Sequence, residues 1–70
     1  MKIAYYKGID AFNRPVFKDN NNNYYCLCNK LYSYGEKINI EDIKNEEITF
    51  KGKSFNSEPN YIVNDIILKI

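Results

Sequence analysis

Histidine and tryptophan are both absent from this chain of 70 residues, and cysteine, proline, methionine and glycine number only two, two, one and three. Each shortage closes something off. Histidine is the side chain that most often moves protons near neutral pH and binds metals through nitrogen. Its absence argues against acid–base catalysis and leaves Cys26 and Cys28 without nitrogen partners for a zinc site. The carboxylates offer no substitute. Glu41/Asp42 and Glu46/Glu47 are sequence neighbours, and neighbours on a helix point apart instead of converging as a catalytic dyad does. No glycine-rich phosphate loop, nucleophile elbow or metal-ligand spacing occurs. The expectation is a protein that is not an enzyme and uses no cofactor or metal.

Long apolar runs are missing too. Nothing approaches the roughly 20 residues needed to cross a bilayer. Met1 is followed by mixed residues and no apolar export signal, so no membrane role is expected and a reducing cytoplasm is the expected setting. Residues two apart in a strand share a face with their Cα atoms roughly 6.5 Å apart, near the long limit for a disulfide. Cys26 and Cys28, placed in one predicted strand, therefore read as small buried thiols.

Aromatics are what the chain has in excess: seven tyrosines and four phenylalanines. Tyrosine serves both as core filler and as contact surface, since its ring is apolar and its hydroxyl stays wet. Net charge is +1, too small for general attraction to nucleic acid or lipid, but it is unevenly spread. Residues 1–35 sum to +3 and residues 36–50 to −3, a split that marks two surfaces or mutual neutralisation.

The pattern predicts a single small α+β domain over residues 1–70, a mostly antiparallel twisted sheet of about five strands with one short helix. Lys2–Lys7, Arg14–Lys18 and Tyr24–Cys28 read as a three-stranded meander over residues 2–28, with the asparagines before Tyr24 forming a hairpin tip. Asn39 reads as the N-cap of a helix over 39–47, with Glu41 and Asp42 in its first turn. Ile48–Phe55 reads as a hairpin turning near Lys51–Lys53. Residues 61–70 fit strand and helix periods alike, and their β-branched content favours strand.

A chain this aromatic and this short of catalytic groups is expected to bind. Interfaces favour Tyr, Phe and Arg at their centres, so Tyr6, Phe12, Tyr25, Tyr32 and Tyr34 are the candidate outward rings and Arg14 a polar anchor. Glu41 and Asp42 on the acidic helix are candidate contacts as well, in the manner of a phosphate mimic. The alternative is weak binding of single-stranded nucleic acid. Lys2, Tyr5, Tyr6, Lys7, Arg14, Phe17, Lys18, Tyr24 and Tyr25 would then supply stacking rings and phosphate contacts on the first three strands. Self-association through an exposed apolar C-terminal strand is a third reading.

The strings Gly8-Ile-Asp-Ala-Phe-Asn-Arg-Pro-Val-Phe-Lys-Asp19 and Phe50-Lys-Gly-Lys-Ser-Phe-Asn-Ser-Glu-Pro59 are similar to small proteins of phages and mobile elements from low-GC bacteria. The abundance of Asn, Lys, Ile and Tyr, all with AT-rich codons, agrees with such a source. The resemblance implies a genomic setting and transfers no functional residue. In that setting, compact proteins without catalytic equipment bind and inhibit a host protein in the host cytoplasm, anti-defence proteins such as anti-CRISPRs among them.

Overall fold

The computed structural model describes residues 2–70. Strands β1 (Lys2–Ile9), β2 (Pro15–Lys18) and β3 (Tyr24–Cys26) form the meander, followed by helix α1 (Ile40–Ile43) and strands β4 (Ile48–Gly52), β5 (Tyr61–Val63) and β6 (Ile66–Lys69). They make one six-stranded sheet in the order β5-β4-β3-β2-β1-β6. The β1–β6 pair is parallel and the other four pairs are antiparallel. The expected count of five is thus corrected to six, because residues 61–70 form two strands, with Asn64 and Asp65 between them.

That break shapes the molecule. Its two flanking strands occupy opposite edges of the sheet. Six flat strands would put those edges about 24 Å apart, yet the Cα atoms of Val63 and Ile66 can be at most about 11 Å apart. The sheet therefore curls on itself into an open barrel. The amide of Lys2 donates to the carbonyl of Asp65 (3.3 Å), pinning the start of β1 beside the connection.

An aromatic row crosses the sheet, with Tyr6, Phe17, Tyr25 and Phe50 packed into the core and Tyr61 exposed at the β5 edge. Tyr6, Phe17, Tyr25, Phe50 and Tyr61 are consecutive register partners across β1 to β5. Edge-on contacts join Tyr6 to Phe17 and Tyr25 to Phe50, each at 5.6 Å between centroids, and Phe50 stacks on Tyr61 at 5.0 Å. Such pairs contribute about 0.5–1.5 kcal/mol beyond the area they bury. Ala4, Leu27, Tyr32, Ile43 and Leu68 complete the core, so the segment after β3 folds back over the interior.

Three local expectations are corrected. The helix is a single turn ending at Ile43 instead of Glu47. Asn39 does cap it, its side-chain oxygen accepting from the amide of Glu41, but no apolar position follows Ile43 to hold a second turn, and isolated turns do not persist alone. The predicted hairpin at Lys51–Lys53 is absent: β4 continues through Gly52 and pairs antiparallel with β3 on one side and β5 on the other. β3 ends at Cys26, where the amide of Leu27 turns to donate to the carbonyl of Pro15 and that of Lys30 to the carbonyl of Leu27.

Candidate interaction surfaces

The connections β1–β2 and β2–β3 are the same turn made twice. Each begins with Asp and places Asn three residues later in the left-handed region, Asn13 at φ 64° and Asn22 at φ 65°. In the first, the amides of Phe12 and Arg14 donate to Asp10 Oδ1 at 2.9 and 3.0 Å. In the second, the amides of Asn21 and Asn23 donate to Asp19 Oδ1 at 2.8 and 3.0 Å. Asparagine tolerates the left-handed conformation that closes a three-residue hairpin loop of this kind.

The free oxygen of each carboxylate distinguishes them. Asp10 Oδ2 accepts from Arg14 Nε and from Lys51 Nζ, both at 2.8 Å. The side chain of Lys51 is wholly buried. Burial alone would raise the Asp10 pKa, but Lys51, the Arg14 and Phe12 amides and the Arg14 guanidinium outweigh it and hold the carboxyl below its ordinary range. Asp19 Oδ2 instead accepts from the buried Tyr25 hydroxyl at 2.7 Å. Burial raises the Asp19 pKa as well, and the Tyr25, Asn23 and Asn21 bonds overcome it.

The turn at Asp10 carries a ring on its tip. Phe12 is 63% exposed, and the Arg14 guanidinium lies 5.0 Å from its centroid. The Tyr32 amide donates to the carbonyl of Asn13, bringing the 31–34 loop to the same end of the molecule. Leu31, 65% exposed, and Tyr34, 96% exposed, are on that loop. Nothing local in the sequence distinguishes Leu31 from a core leucine. The Asp10–Lys51 pair is equally hidden, since a lysine in Lys-Gly-Lys reads as a turn residue.

The remaining predicted residues divide. Tyr25 and Tyr32 are buried, and Tyr6 is half-buried against Phe17, correcting the expectation that these rings point outward. Strand alternation turns one member of each tyrosine pair inward, and the register with Phe17 and Phe50 makes those Tyr6 and Tyr25 rather than Tyr5 and Tyr24. The Tyr32 hydroxyl has no partner among the described residues. Burial, then the carboxylates of Asp42, Glu36 and Glu46, raise its pKa. Arg14 is mostly covered, with its guanidinium committed to Asp10. Glu41 and Asp42 are exposed on α1, where Glu41 pairs with Lys44.

On the outer face of the sheet, Tyr5 is in register with Lys18, and Lys18 with Tyr24. The Lys18 ammonium lies 5.8 Å from the Tyr24 centroid. Tyr5, Lys7, Lys18 and the 19–22 turn line a polar cleft of about 380 Å³. Tyr6, Phe17 and Tyr25, named with them for nucleic-acid contact, are on the core side. β6 lies at an edge of the sheet, beside an apolar groove of about 270 Å³ between α1 and β6.

No cluster of three or more metal-binding side chains occurs among the described residues, and no helix there is long and apolar enough to cross a membrane. Comparison with known proteins finds no matching family model, curated protein or solved structure.

Proposed function

We propose that the chain is a non-enzymatic protein-binding module that engages its partner through the end carrying Phe12, Leu31 and Tyr34. One observation carries this reading: Phe12 stands in solvent on a turn where its own amide, the Arg14 amide and the Arg14 guanidinium are held by the Asp10 carboxylate. An apolar ring already held in place loses little freedom when a partner covers it, and aromatic and arginine side chains dominate interface hot spots. In the phage or mobile-element setting that the resemblance implies, the partner is a host protein, inhibited by occlusion of its working surface. Defence machinery, CRISPR effectors included, is the target class that fits that setting.

The test is affinity capture from a low-GC bacterial lysate with the native chain and with a Phe12→Ser/Tyr34→Ser double variant. The native chain is expected to retain one protein in stoichiometric amount. The double variant should bind it roughly tenfold or more weakly, the effect of losing about 1.4 kcal/mol or more at a hot spot. Capture of nothing, or equal capture by both chains, contradicts the reading.

A second reading has its own support in the outer face, where Tyr5, Lys7, Lys18 and Tyr24 stand together. Rings that stack bases beside lysines that meet phosphates suit single-stranded nucleic acid. Filter binding of an oligothymidylate decides it. This reading requires affinity that falls steeply with salt and is lost in Lys7→Ala/Lys18→Ala; salt-insensitive binding or none removes it.

A further inference from the structure

We propose that Cys26 and Cys28 are a redox-active dithiol that closes to an intramolecular disulfide in the folded protein. Their sulfurs lie 3.1 Å apart and share one S–H···S contact. In a continuous strand the pair would be too extended to join comfortably, but β3 ends at Cys26, and the Leu27–Lys30 turn swings Cys28 back toward it. A bond needs the sulfurs about 2 Å apart, so a closure of about 1 Å is required of a side chain at the start of a surface turn.

The surroundings favour this use over two alternatives. Asp10 is one carboxylate between two cations, Arg14 and Lys51, so the buried cluster carries a surplus positive charge. Arg14 Nη1 lies 4.0 Å from Cys28 Sγ. A bound metal cation would meet that charge at close range, whereas a cationic neighbourhood is where cysteine sulfur acts as a nucleophile. Inert packing is the other alternative, and it does not account for a partly exposed Cys28 directed at a buried partner. Burial and the adjacent Cys28 sulfur push the Cys26 thiol up to about 12, with Arg14 and Lys51 pulling it down. Cys26 therefore suits the resolving role and Cys28, the accessible sulfur, the attacking one.

The reaction is thiol–disulfide exchange with a small-molecule disulfide such as oxidised glutathione. Cys28 sulfur, having given its proton to solvent, attacks one sulfur of the reagent and expels the other as a thiolate, leaving a mixed disulfide. Cys26 then loses its proton and attacks the Cys28 sulfur, expelling the second thiolate. The protein loses two hydrogens and is oxidised; the reagent becomes two thiols and is reduced.

The folded full-length chain would be equilibrated in glutathione buffers, quenched, treated with a maleimide and weighed. The expected product is monomeric, lighter by two hydrogens and unreactive to maleimide. Half-oxidation should require a buffer at least roughly tenfold more reducing, as [GSH]²/[GSSG], than for the same chain in denaturant. Cys28→Ser should take up no glutathione while folded, because Cys26 is buried. A native chain that keeps two free thiols, stops at the mixed disulfide, or oxidises no more readily than in denaturant overturns the proposal. Rapid glutathionylation of folded Cys28→Ser overturns the order of attack.

Discussion

At Asp10 and at Asp19 the chain makes one turn with one pattern: an aspartate accepting amides two and four residues ahead, and an asparagine in the left-handed region three residues on. What differs is the second carboxylate oxygen. At Asp19 it accepts from a tyrosine hydroxyl of the adjacent strand, a neutral donor that closes the hairpin onto the core. At Asp10 it holds Arg14 and the buried Lys51, 41 residues away in sequence. The first arrangement ties a turn to its own hairpin, while the second ties a turn to the far side of the sheet and leaves Phe12 on its tip. Asn21, the equivalent tip residue at Asp19, offers a partner only a short polar group. The same local code thus yields one turn closed onto its own hairpin and one that presents an exposed ring.

Replacing the two aspartates should separate these roles most sharply. Asp10→Ala leaves Lys51 buried and unpaired, which costs about 3–5 kcal/mol when a buried ion pair loses one member. That is comparable with the entire stability of a chain this small, so urea titration should find the variant unfolded or nearly so. Asp19→Ala strands only neutral donors and is expected to remain folded with a lower midpoint, at about 1–3 kcal/mol. Equal losses would erase the distinction between the turns.

Acid should act on both turns alike. Both carboxyls are held below their ordinary value of 3.8. A depressed folded pKa adds stability that is fully present above the unfolded value and is lost as pH falls through the folded one. The urea midpoint is therefore expected to hold from neutrality to about pH 5 and to fall below about pH 4. Asp19→Asn should flatten part of that fall; an unchanged acid limb would mean its bonds do not favour the charged form.

A smaller contrast separates the two buried tyrosines. Tyr25→Phe removes the hydroxyl that the Asp19 carboxylate accepts from and should cost about 1.5–3 kcal/mol. Tyr32→Phe removes a buried hydroxyl without a partner and should leave stability unchanged or raise it slightly. Thermal melts of the two variants should move in opposite directions or only the first should move.

Much of this architecture is legible in the sequence, and the boundary of legibility has physical causes. The meander, its Asn-rich tip and the cap at Asn39 follow from local propensities, and they are observed. Alternation requires one of each tyrosine pair inside, but only cross-strand register with Phe17 and Phe50 decides which, and register is a long-range property. Burial of Lys51 is likewise invisible locally, because the carboxylate that makes it tolerable is supplied by another hairpin. The split of residues 61–70 depends on where the opposite sheet edges meet, which no local period encodes. For the surface, Phe12 and Tyr34 were named from composition, while Leu31 enters only because a hydrogen bond from its neighbour Tyr32 docks two loops together.

The repeated turn supplies its own control for the central claim, that the Asp10 turn and not the Asp19 turn meets a partner. A photo-crosslinking amino acid would be placed at Phe12 in one chain and at Asn21 in another, and each expressed in a low-GC bacterium and irradiated. The account predicts one discrete adduct with a cellular protein from position 12 and none from position 21. Adducts of equal yield from both positions, or from position 21 alone, would contradict it.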